Sequence, residues 1–99
     1  MLVAFSVAPS VAADDTGLVH EAVADAIEIV RASGLPNSTD AMFTTLEGEW
    51  DECMAVVKRC CEALQAHSPR VSLVLKADIR PGYTGEMTAK LDRLESHLR

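Results

Sequence analysis

The alternation between Arg70 and Ile79 constrains this chain more than any other feature. Val71, Leu73, Leu75, Ala77 and Ile79 fall on one side of an extended backbone, and Ser72, Val74, Lys76, Asp78 and Arg80 on the other. A period of two over that length predicts a strand buried on one face. Such a strand needs neighbouring strands for its backbone and a second layer for its apolar face. The remaining sequence supplies both. An apolar stretch, Leu2–Ala8, predicts a first strand that Pro9 ends, followed by a loop to Thr16. From about Gly17 to Ser33, the residues Val19, Ala22, Val23, Ala26, Ile27 and Val30 recur at helical steps and predict one buried stripe. Thr16 or Asp15 suits the start of that helix. Gly34 suits a left-handed C-terminal cap, and Pro36 forbids continuation.

Two short extended pieces are expected next, Asn37–Ala41 and Phe43–Glu47, forming a hairpin or, alternatively, one long bent strand. A second helix is expected over Trp50–Ala66, with Trp50, Cys53, Met54, Val57, Cys60, Cys61 and Leu64 facing inward. Glu47, Glu49, Asp51 and Glu52 crowd its start, where carboxylates complement the helix dipole. After the strand at Arg70–Ile79 comes a turn at Arg80-Pro81-Gly82. A last helix over Thr84–Leu98 carries Met87, Leu91, Leu94 and Leu98 as a heptad-like stripe. The order β-α-β-β-α-β plus a helix predicts an α+β, ferredoxin-like domain spanning residues 1–99. Its four-stranded antiparallel sheet has helices on one face. The other face, and the stripe of the last helix, need cover, which predicts a homo-oligomer, at least a dimer.

Charge and composition exclude several functions that this fold carries. Acids outnumber bases 15 to 9, giving a net charge of −6, and no basic cluster exists to displace counterions from nucleic acid. Only 4% of residues are aromatic, too few for a base-stacking sheet. No apolar run approaches the ~20 residues of a membrane span. Met1–Ala13 resembles a signal peptide but has no basic residue before its apolar stretch, so a cytoplasmic protein is expected. Cys53, Cys60 and Cys61 share one predicted helix and lack paired-ligand spacing, so they read as small buried residues. The first loop holds Asp14 and Asp15 where an anion-binding arginine would be needed. His20, His67 and His97 are linked to no nucleophile. No catalytic constellation is visible, no cofactor is called for, and the chain is expected not to be an enzyme.

What remains is a binding module. The segment from Ser38 to Trp50 packs hydroxyls and carboxylates into half-buried strands. Taken singly, Thr44 and Thr45 are ordinary β-branched strand residues, and the acids cap a helix. Together with the flexible Met42 they suit a small, flat, polar-edged ligand, neutral or cationic. The run Thr44-Thr45-Leu46-Glu47-Gly48-Glu49, followed by Arg70-Val71 and by Lys76, Asp78 and Arg80, resembles the small thiamine-binding protein family. Pro9 and Gly34 fit the same pattern, while Val11–Asp15 and Phe43 depart from it. The resemblance implies a cytoplasmic, non-catalytic binder of thiamine or its hydroxymethylpyrimidine part, commonly a homotetramer. Thr44, Thr45, Glu47, Ser6, Thr39 and Met42 are the expected ligand-binding residues, with Asp78 as a further candidate. Lys76, Asp78 and Arg80 could instead pair across a subunit contact. The competing expectation is a structural or regulatory homo-oligomer without a small ligand.

Overall fold

Alternation in the first strand decides which way the sheet faces. The computed structural model describes residues 1–9 and 18–98. Its elements are β1 (Leu2–Pro9), α1 (Leu18–Ala32), β2 (Asn37–Thr39), β3 (Thr44–Glu47), α2 (Trp50–Gln65), β4 (Val71–Asp78) and α3 (Glu86–His97). The strands form one antiparallel sheet in the order β2-β3-β1-β4, the ferredoxin-like arrangement. In β1, Val3 pairs with Leu46 and Ala77, and Phe5 with Thr44 and Leu75. Directly opposed residues share a face, so these six side chains point together toward the core.

The core is built where that face meets α1 and α2. Ala22, Ala26 and Val30 of α1 are buried against it, as are Cys53, Val56, Val57, Cys60 and Leu64 of α2. Alanine at two successive turns of α1 lets α2 approach closely, and the Cys60 thiol donates to the Ala26 carbonyl at 3.4 Å. Leu46 and Leu64 are the largest side chains fully removed from water. Truncating either to Ala in so small a core is expected to cost about 2–5 kcal/mol.

Several local expectations hold. Gly34 ends α1 with φ 81, and the two extended pieces form a hairpin. Others need correction. Strand β2 stops at Thr39 and β3 begins at Thr44, because Asp40 folds the intervening residues into a turn. Its Oδ1 accepts the backbone N–H groups of Met42 (2.8 Å) and Phe43 (2.9 Å). Helix α3 starts at Glu86, two residues late, after Gly85 at φ 67. Trp50, expected inward, is 53% exposed, because it opens the first turn of α2 beyond the sheet's cover. Val56 takes its place in the core. Val23, Leu73 and Ile79 belong to apolar stripes yet stay exposed at the ends of the layers. The loop expected over Pro9–Thr16, with caps at Thr16 or Asp15, lies outside the described residues beyond Pro9, as does the side chain of Val19.

Gly48 shows why the Glu-Gly-Glu sequence is specific. A Cβ there would lie 3.2 Å from Leu35 Cδ2 and 3.3 Å from Cys53 Sγ. The chain passes so close to the core that a side chain there would make these neighbours give by a few tenths of an ångström.

Candidate ligand cavity

Unequal strand lengths create a notch in the sheet. Strand β1 pairs with β4 over its whole length, from Leu2 to Pro9, but with β3 only from Leu2 to Phe5. From Ser6 onward, among the described residues, the β3-side edge of β1 has no strand beside it. Such an edge presents backbone donors and acceptors in a row. A cavity of about 210 Å³ occupies this notch. Its floor is Phe5, Ala26, Val30 and Cys60. Ile27 and the exposed Val23 extend one wall along α1, and Ser6 and Val7 border it along the strand edge. The hairpin Thr39–Thr44 closes the far side.

Polar groups are few and placed at one wall. Thr39 and Thr44 pair across the hairpin, with their hydroxyls 3.2 Å apart and either able to donate. Thr44 is buried, whereas Thr39 is exposed. Met42, 73% exposed, forms a flexible lip. Asp40 stands at the rim, where the Phe43 and Met42 amides hold its carboxyl below the usual range. Burial pushes the Cys60 thiol up to about 11, so it stays neutral on the cavity floor. Asp40 is thus the one ionised side chain among the described lining residues. An engineered apolar cavity of roughly 150 Å³ accepts benzene. The volume here admits one substituted six-membered ring, with any further part of the ligand left at the mouth.

Of the residues singled out from sequence, Ser6, Thr39, Met42 and Thr44 meet at this cavity. Thr45, Glu47 and Asp78 do not. Thr45 pairs with Ala4, and Glu47 and Asp78 with Leu2, which puts all three on the face away from α1 and α2. There Glu47 has a different partner. Its two carboxylate oxygens accept the backbone N–H groups of Glu86 (3.0 Å) and Met87 (3.3 Å), clamping the start of α3 onto the sheet. The Glu86 amide, with a smaller contribution from that of Met87, lowers the Glu47 carboxyl against the opposing effect of burial. The buried Glu86 carboxylate in turn faces Arg93 at 3.0 Å and Arg80 at 3.7 Å. Asp78 pairs with Lys90, and Arg80 also lies over the Tyr83 ring at 3.7 Å. Phe5, Val7, Asp40 and Cys60 were not among the residues expected to line a site.

Comparison with known proteins agrees with this architecture. The profile of the thiamine-binding protein family matches residues 3–95. The chain belongs to the thiamine-binding protein family. It is 54% identical over 99 residues to a UPF0045 protein of Mycobacterium bovis, covering 99% of this chain and 94% of that one. Among solved structures, a hypothetical protein of Methanocaldococcus jannascii superposes with a TM-score of 0.81 at 28% identity, covering 95% of this chain and 94% of that chain. A candidate thiamine biosynthesis/salvage protein of Thermotoga maritima superposes with a TM-score of 0.73 at 31% identity, covering 93% and 97%. In this member of the thiamine-binding family, the Thr-x-x-Glu-Gly-Glu segment serves two structures: Thr44 lines the cavity, and Glu47 holds α3.

Proposed function

We propose that this protein binds thiamine or its hydroxymethylpyrimidine moiety without catalysing its conversion, as a single domain in the cytoplasm. The carrying observation is a ring-sized, largely apolar cavity with the paired Thr39 and Thr44 hydroxyls on one wall, in a chain of the thiamine-binding family. An aminopyrimidine has apolar faces and an edge of alternating donors and acceptors. Phe5, Val30 and Met42 suit the faces. The Thr39–Thr44 hydroxyls and the free edge of β1 beside Ser6 suit the polar edge. In this reading Thr45, Glu47 and Asp78 support the site through the fold.

The same reading includes self-association as a homodimer or homotetramer. Leu91 and Leu94 of α3 and Leu98 just past its end are each more than half exposed, as is Val74 on the open sheet face. A second copy would bury them.

Titration calorimetry with thiamine and with hydroxymethylpyrimidine tests the binding role. Saturable heat is expected, weakened about fivefold to tenfold in Thr44→Val, which keeps shape and removes one hydroxyl. No heat with either compound would overturn the reading.

A further inference from the structure

The cavity has a charge preference that its shape alone does not give. We propose that Asp40 makes this site select the uncharged or cationic, unphosphorylated form of its heterocyclic ligand and reject the corresponding phosphate esters. This inference rests on the binding role proposed above and adds which form of the vitamin is taken.

Three observations carry it. The cavity holds about 210 Å³, one ring's worth, so a second ring and its side arm must sit at the mouth. The mouth is where Asp40 stands, with Oδ1 fixed by the Met42 and Phe43 amides. No Lys, Arg or His is among the described residues lining the cavity. A phosphate ester carries about −1.5 to −2 at neutral pH and needs cationic or N–H donors to replace its water. Here the two backbone N–H groups at the rim are already donating to Asp40. A cationic ring beside the same carboxylate is instead attracted, by roughly fivefold per unit charge near 4 Å in water.

The experiment compares dissociation constants of thiamine, thiamine monophosphate and the neutral hydroxymethylpyrimidine, for the full chain and for Asp40→Asn. The Asn side chain keeps Oδ1 to accept the Met42 and Phe43 amides, so the turn survives and only the charge is lost. For the natural chain, thiamine is expected to bind about tenfold or more tightly than its monophosphate. In Asp40→Asn that ratio should fall to about threefold or less, with hydroxymethylpyrimidine affinity changing less than that of thiamine. Raising salt on the natural chain should weaken thiamine and strengthen the monophosphate, a readout that needs no variant. Equal or tighter binding of the monophosphate, or a ratio indifferent to both Asp40→Asn and salt, would overturn the charge preference alone. If none of the three compounds binds, the binding role falls and the preference with it.

Discussion

The two ends of the sheet solve opposite problems with neighbouring residues of one strand. At the cavity end, β3 stops short at Thr44. The opening's described lining residues are mostly apolar, with the paired Thr39 and Thr44 hydroxyls, Ser6 at the strand edge and Asp40 as the one ionised group. At the other end, Glu47 meets the α3 backbone. Glu86 and Asp78 face Arg80, Arg93 and Lys90, so two carboxylates are matched by three cations. The first end leaves hydrogen-bonding capacity unspent and is suited to a guest. The second end uses nearly all of it to hold a helix. A carboxylate that is buried and fully partnered is a poor candidate for ligand recognition, since a ligand would have to displace α3 first.

The contrast can be broken by mutation, most strongly at the dock. Glu47→Ala removes the acceptor for two backbone amides and uncovers the buried Glu86. It is expected to cost about 1–3 kcal/mol of stability by denaturant titration. It should leave the affinity for thiamine within about twofold. A large affinity loss with unchanged stability would reverse the two roles. Acid should act in the same place. The folded Glu47 carboxyl sits below its ordinary value of 4.5. Its contribution is therefore present above that value and is lost as pH falls through the lowered one. Amide hydrogen exchange across α3 should accelerate over that acid range before the core amides do. Thr44→Val sharpens the opposite side: stability within about 1 kcal/mol of the natural chain, with the loss confined to binding. The smallest effect belongs to Lys90→Ala. Its pair with Asp78 is exposed, and thermal unfolding should register about 0.5 kcal/mol or less.

Most of the fold was legible because its signals are periodic. Val71 to Ile79 alternates, α1 and α2 repeat at three and four residues, and Gly34 with Pro36 punctuates the chain. Part of the site was legible too, since Thr39, Met42 and Thr44 share the hairpin. The separation of Thr44 from Glu47 was also available. Residues three apart on a strand point to opposite faces, so one cavity within a protomer cannot collect both side chains. Thr44 and Glu47 share suitable chemistry but not a face of the strand. Other features were not in the local pattern. The notch depends on β3 being shorter than β1, a consequence of the Asp40 turn. The burial of Glu47 depends on α3, whose first residue lies 39 positions later. Trp50 has the right spacing for an inner face and is exposed because the sheet ends before it.

The central claim is that ligand and helix occupy separate ends of this sheet. Amide chemical-shift mapping during thiamine titration tests it most directly. Saturable shifts are expected at Phe5–Val7, at Thr39–Thr44 and along the Val23–Val30 face of α1, with Glu86–His97 undisturbed. Shifts centred on Glu47, Asp78 and α3, with Thr39–Thr44 silent, would contradict it.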